Sequence, residues 1–247
     1  MDLSNCRAVV TGGASGLGAA TAAYFRAQGA QVVVLDRDPD GAEAAQAIGA
    51  GYAVTDVTDE ASVTAALDHA VAVMGGIDVC VNCAGVVVGE KTLGRDGPHR
   101  LDSFRRTIEV NLIGSFNVLR LAAERMAKNG RAQNGVIVNT ASIAAFDGQK
   151  GQAAYAASKA GIAGMTLPLA RDLAGQGIRV CSVAPGIFGT PMLNGLPADV
   201  QDSLAAEVTY PKRLGDPDEY ARMVAFIVQN DYLNGETIRI DGALRMR

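Results

Sequence analysis

Along this chain, short apolar runs rich in β-branched residues alternate with longer stretches in which apolar positions recur at helical spacing. The runs at 7–11, 31–36, 51–57, 77–82, 135–140, 178–184 and 237–240 read as strands. Several are continuous in Val and Ile rather than alternating with polar residues, the pattern of parallel strands covered on both faces. The stretches 18–28, 61–74, 104–128 and 155–176 carry helical period. Strand and helix in alternation predict a doubly wound α/β (Rossmann) fold: a seven-stranded parallel sheet with helices on both faces. No linker or shift of composition divides residues 1–247, which read as one domain. Pro168 removes a backbone donor within the last of these helical stretches and should kink it. Long connections at 86–102 and 186–211 are candidate substrate loops, since α/β sheets keep ligands at the carboxyl ends of their strands.

Composition narrows the class. The chain has 247 residues with 29 Gly and no Trp, which suits helices packed closely on a sheet and backbone brought near a ligand. A net charge of −4 argues against general nucleic-acid binding. No apolar run approaches the roughly 20 residues of a membrane span. The start, Met1-Asp2-Leu3-Ser4-Asn5, lacks the basic and apolar regions of a signal peptide, so a cytoplasmic setting is expected. Four cysteines include Cys80 and Cys83 in a C-x-x-C spacing, but inside a strand, where positions three apart face opposite sides. They are expected to be core thiols. His69 and His99 lie far apart, so no metal site is expected.

Chemistry begins after the first strand, in Thr11-Gly12-Gly13-Ala14-Ser15-Gly16-Leu17-Gly18. Gly12 permits a tight turn, Gly16 lets backbone approach a pyrophosphate, and Gly18 lets helix and sheet close together. The freed N–H groups and the helix dipole then face phosphates. Asp36 closes the second strand 18 residues beyond Gly18, where a carboxylate accepts hydrogen bonds from an adenosine ribose and repels a 2′-phosphate. NAD is therefore favoured over NADP, although the neighbouring Arg37 is a residue type that can accept that phosphate. Asp56 and Val57, after the third strand, are placed to touch adenine; a helix-capping Asp is the plainer reading. Asn82, Ala84 and Gly85 end the fourth strand with small residues that let backbone pass beside a cofactor.

At the reacting end stands Tyr155-Ala156-Ala157-Ser158-Lys159. Residues four apart share a helix face, so Lys159 lies one turn from Tyr155. A free phenol with a pKa of about 10 is a poor base at neutral pH, and a nearby ammonium favours its anion, as does the positive ring of an oxidised nicotinamide. Tyr155 can then exchange a proton with an alcohol or ketone oxygen while hydride moves at carbon. Ser142 follows the fifth strand 13 residues earlier, and its hydroxyl can hydrogen-bond the same oxygen. Asn111 is an amide on an apolar helix stripe; it can hold a water leading protons from Lys159, or simply be a satisfied core residue.

With these positions in this order, the chain resembles the short-chain dehydrogenase/reductases from end to end. The resemblance implies a tetrad of Asn111, Ser142, Tyr155 and Lys159. It also implies that Lys159 holds the nicotinamide ribose, that Thr190 meets the carboxamide, and that Pro185, Gly186 and Phe188 join the cofactor contacts. Cys83 departs from the family's Asn-Asn-Ala-Gly, which matters little where backbone makes the contact. The segments 145–155, 165–173, 184–191, 213–217 and 234–246 are more closely similar to the type-2 3-hydroxyacyl-CoA dehydrogenases. The loop 86–102 is similar to that subgroup's insertion. Such similarity implies NAD-dependent oxidation of a 3-hydroxyacyl-CoA to the 3-ketoacyl-CoA, in fatty-acid or branched-chain amino-acid breakdown. It also implies a dimer or tetramer, with a homotetramer expected, joined through the helices at 104–128 and 155–176 and the chain's end. Gln152 is an expected thioester contact. Lys91, Arg95, His99 and Arg100 are expected either to receive a CoA head or to form an ordinary solvated face. A hydroxysteroid or other hydrophobic secondary alcohol is the alternative substrate, and a non-catalytic NAD-binding scaffold the remote one.

Overall fold

The computed structural model describes residues 1–95, 97–194 and 197–246. Its strands are β1 (Arg7–Thr11), β2 (Gln31–Asp36), β3 (Gly51–Val54), β4 (Val79–Asn82), the short hairpin β5 (Leu93–Gly94) and β6 (Gly97–Pro98), then β7 (Gly135–Thr140), β8 (Ile178–Pro185) and β9 (Thr237–Ile240). The helices are α1 (Gly16–Ala27), α2 (Gly41–Ala47), α3 (Glu60–Met74), α4 (Leu101–Ile108), α5 (Gly114–Met126), α6 (Ala153–Leu173), α7 (Pro191–Asn194), α8 (Ala198–Glu207) and α9 (Pro217–Gln229). Seven strands form one sheet in the order β3-β2-β1-β4-β7-β8-β9, every pair parallel.

Because neighbouring residues on a strand face opposite ways, each strand feeds two cores. In β1, Ala8 and Val10 pack with Phe25 of α1 and Val224 and Val228 of α9. Val9 packs on the other side with Leu67 of α3 and Val118 and Ala122 of α5. The near-continuous Val/Ile runs are thus explained by helices on both faces. Cys80 and Cys83 divide the same way, one per core, and both are free thiols. The chain leaves β1 toward β2 and β3 on one side, while β4 begins the other half. Thr11 and Asn82 therefore end side by side at the point where strand order reverses, the usual place for a ligand crevice.

The sheet departs from the sequence reading in small, explicable ways. β3 stops at Val54 because Asp56 turns the chain, its Oδ1 accepting from the amide (2.9 Å) and hydroxyl (2.7 Å) of Thr58. β4 starts at Val79 because Asp78, at its mouth, is taken up by Arg7, whose Nη2 donates at 2.7 Å, and by Arg131. The single helix expected over 104–128 is two, α4 and α5, joined by a π-helical turn at Glu109–Ile113. Helix α6 runs through Pro168 without a break; Pro168 and Gly164, whose carbonyl loses its partner, are both exposed, so water can satisfy it. Among the described residues no helix is long and apolar enough to cross a membrane, and no cluster of residues is arranged to hold a metal.

Candidate active site

A cleft of about 590 Å³ opens over the carboxyl ends of the strands. Its floor is the glycine loop. Gly12 has φ +63°, and a side chain there would meet the backbone of Ala84 at 2.7 Å, so β1 and β4 approach at a spacing only glycine allows. Thr11 Oγ1 fixes the same junction by accepting from the amides of Cys83 and Ala84, both at 3.1 Å. Ser15 is the N-cap of α1, yet its hydroxyl makes no capping bond. Across the opening, Thr190 lies over the loop, its Cγ2 3.5 Å from where a Cβ on Gly16 would stand. A narrow trough thus runs along the amino end of α1, where backbone N–H groups favour an anion.

One end of the trough is polar. Asp36 accepts from the amide of Ala14 at 2.9 Å and from that of Asp38 at 3.1 Å, which turns its carboxylate into the cleft. Arg37, Thr55, Asp56, Val57 and Arg106 complete this end. The Thr58 side chain and amide hold the Asp56 carboxyl below its ordinary range, with Arg106 and Arg37 adding to the effect.

Further along, Ser142 caps the turn at Ile143–Ala145, its Oγ accepting from Ala144 N at 3.1 Å. Tyr155 sits in the first turn of α6 and lines the cleft opposite. Lys159, one turn on, is 4% exposed; its Nζ donates to the carbonyl of Thr140 at 2.6 Å and lies 5.8 Å from the centre of the Tyr155 ring. Burial pushes the Tyr155 phenol up, and the Ser142 hydroxyl partly offsets that. Burial also pushes the Lys159 ammonium down to about 8, against the nearby Cys83 thiol. Burial is thus the leading influence on both groups of the pair.

Most residues expected at the site do line the cleft: Gly12, Ser15, Gly16, Leu17, Gly18, Asp36, Asp56, Val57, Ala84, Gly85, Ser142, Gln152, Tyr155, Lys159, Pro185, Gly186, Phe188 and Thr190. Asn82 and Asn111 lie behind its wall. Asn82 donates to Asn139 Oδ1 at 2.9 Å between β4 and β7. Asn111, in the π turn, grips Val86 twice, accepting from its amide at 2.8 Å and donating to its carbonyl at 2.9 Å, and also donates to Ser158 at 3.0 Å. With both amide protons committed, this side chain anchors the segment after β4 beside the cleft. Gln152 braces its own loop by accepting from Gln149 N at 3.0 Å. The basic cluster in the insertion does not act together: Arg100 pairs with Glu90 at 3.3 Å, and His99 Nδ1 lies 3.0 Å from the carbonyl of Glu90. Lys91 and Arg95 are exposed and do not line the cleft. Sequence reasoning missed Arg106, Leu204 and Met246, which reach the cleft only through tertiary folding.

The donor set fits a dinucleotide: a glycine floor too tight for a Cβ at Gly12 and Gly18, a helix terminus, a carboxylate for a ribose and a lysine at the far end. A family model described as enoyl-(acyl carrier protein) reductase matches residues 12–244. The chain is 55% identical to the 3-hydroxyacyl-CoA dehydrogenase type-2 of Bos taurus, covering 97% of this chain and 95% of the relative. It is 54% identical, with the same coverage, to the Homo sapiens protein of that name. Among solved structures, 3-hydroxyacyl-CoA dehydrogenase type-2 from Mycobacterium avium superposes with a TM-score of 0.90 at 42% identity, covering 97% of this chain and 96% of that one.

Proposed function

This chain belongs to the short-chain dehydrogenase/reductase family, and from that premise we propose that it oxidises the hydroxyl of a 3-hydroxyacyl-CoA to the ketone, reversibly. NAD supplies the hydride acceptor and, when oxidised, a cationic ring. The observation that carries the reading is the grouping of Ser142, Tyr155 and Lys159 on one wall of a cleft whose floor is the glycine loop. The names of relatives more than half identical over nearly the whole chain support the acyl-CoA.

The geometry supports the following roles. Asp36 receives the adenosine ribose. Gly12, Gly16 and the amino end of α1 receive the pyrophosphate. Lys159, held by the Thr140 carbonyl, would hold the second ribose of the dinucleotide. Ser142 donates to the substrate oxygen and Tyr155 takes or returns its proton. Asn111 acts at one remove, by fixing Val86 and with it the wall at Gly85.

Purified protein, NADH and acetoacetyl-CoA provide the test, followed by loss of reduced-cofactor absorbance. Turnover of a steroid panel, with acetoacetyl-CoA inert, would overturn the acyl-CoA assignment and leave the chemistry standing. A homotetramer working in the cytoplasm belongs to the same proposal. Ile113, Phe116 and Leu167, on the π turn, α5 and α6, are each at least 44% exposed and give those helices an apolar outer face. Four unpaired thiols suit a reducing compartment. Light scattering on the eluting protein tests the first point and cell fractionation the second.

A further inference from the structure

The segment after β9 is bound to two walls of the cleft at once. Arg239 pairs with Asp147 at 2.5 Å, just beyond the Ser142 turn, and with Asp241 at 2.7 Å; Asp241 also takes Arg245 at 3.1 Å. On the other side, the amide of Tyr210 donates to Gly242 O at 3.1 Å and Thr209 Oγ1 to Ala243 O at 3.1 Å, which ties the segment to the chain following α8. Gly242, at φ +57°, fits so closely that an added Cβ would lie 2.5 Å from Val208. The strap formed this way delivers Met246 into the cleft, with Ile187, Leu193 and Leu204.

Sheet order says which part of the cleft this is. Asp36 and Asp56 follow β2 and β3, at one edge of the sheet, while the strap follows β9, at the opposite edge. Ser142 follows β7, between them. Met246 therefore lies beyond the reacting groups from the adenosine end, among apolar neighbours that suit a hydrocarbon and not a phosphate.

We infer that Met246 is a specificity-determining residue that caps the acyl end of the substrate chamber and limits chain length, a deepening that rests on the acyl-CoA reading. Its unbranched thioether can adapt to several chain ends while still occupying the space. The Asp147–Arg239–Asp241 chain is what keeps it there.

The experiment measures kcat/KM for 3-ketoacyl-CoA substrates of increasing length, for wild type, Met246→Ala and Met246→Phe. Met246→Ala should move the preference toward longer chains, by about four-fold for each further methylene that becomes buried. Met246→Phe should move it toward shorter ones. Affinity for NADH, read by fluorescence without substrate, should match wild type in both variants, which separates a capping role from misfolding. An unchanged length profile in both variants, with wild type active on acyl-CoA, overturns this inference alone. Wild type inactive on every acyl-CoA overturns it together with the reading on which it rests.

Discussion

Replacing Asp36 with Asn leaves the shape of the adenosine pocket nearly intact and removes its charge. The carboxylate closes β2, is half-buried, and already accepts from the amides of Ala14 and Asp38 at 2.9 and 3.1 Å. A hydrogen bond from a ribose hydroxyl to a charged acceptor contributes about 1.5–3 kcal/mol, against about 1 for a neutral one. The substitution should therefore weaken NAD by about 0.5–2 kcal/mol, or roughly 2- to 30-fold. For NADP the effect has the opposite sign. A 2′-phosphate carries about −1.5 to −2 charges, and one unit-charge pair at about 4 Å repels by roughly 1 kcal/mol in water and about 4 at an effective dielectric of 20. Relief of about 2–4 kcal/mol favours NADP by roughly 30- to 1,000-fold, and exposed Arg37 beside it remains to meet the phosphate. The ratio of kcat/KM for NADPH to that for NADH, on one ketone at low and moderate salt, should rise by at least about 60-fold, less at the higher salt. An equal fall with both cofactors would refute the reasoning, because Asp36 would then act only by holding the Ala14 turn.

Oxidation by the wild type should speed up as pH rises through about 8 and reduction should slow over the same range, since Lys159 beside Tyr155 gives up its proton there and can take on the one that Tyr155 removes from the alcohol; Tyr155→Phe should lower both rates by about 100-fold or more with NADH affinity retained. Rates that move together with pH, or an active phenylalanine variant, would remove Tyr155 from the chemistry. Asp78 is buried; burial would raise its carboxyl, but the hydrogen bonds and charge of Arg7, with Arg131, outweigh that and hold it below its ordinary value. Its contribution is present above the unfolded pKa of about 4 and lost as pH falls through the lower folded value, so Asp78→Asn should cost about 3–5 kcal/mol in urea unfolding at pH 7 and flatten the acid limb of stability. Tyr220 is fully buried, with its hydroxyl 2.7 Å from Thr140 Oγ1, which itself donates to Asn82 O at 2.6 Å; Tyr220 is therefore the donor to Thr140, the residue whose carbonyl holds Lys159. Tyr220→Phe should raise KM for NAD and shift the pH limb near 8 as well as lower Tm, and a change in Tm alone would make the tyrosine purely structural.

The parts of this molecule written plainly in its sequence are those governed by local rules. Continuous Val/Ile runs implied strands covered on both faces, and the inner strands β1, β2, β4, β7 and β8 are buried in that way, while the edge strands β3 and β9, which lack such runs, are only partly covered. Gly12 and Gly18 could be assigned because a backbone approach that excludes Cβ admits only one residue type. Asn111 was picked out by its chemistry, but its partner is Val86, 25 positions away, and the π turn that aims it has no periodic signature. The basic run at 91–100 left a CoA patch and a solvated face both open, and the ion pair of Arg100 with Glu90 depends on a fold-back that the run itself does not mark. Arg106 and Met246 reach the cleft from α4 and from beyond β9, and nothing local to either marks it as cleft-facing.

The Tyr155–Lys159 spacing shows the same division within a single site. Four residues on a helix guarantee proximity, and proximity suggests that the ammonium stabilises a phenolate. Burial acts on the two groups in opposite senses, raising the phenol and lowering the ammonium, so both shifts favour the uncharged forms. Once the pair has lost one proton, a neutral phenol with a free amine competes with a phenolate beside an ammonium. These forms hold equal numbers of protons, so pH cannot choose between them; only charge placed next to the phenol can. Lys159 lies 5.8 Å from the Tyr155 ring, and the fold weakens its charge. An oxidised, cationic dinucleotide bound beside Tyr155 would add such a charge and so oppose the burial that raises the phenol.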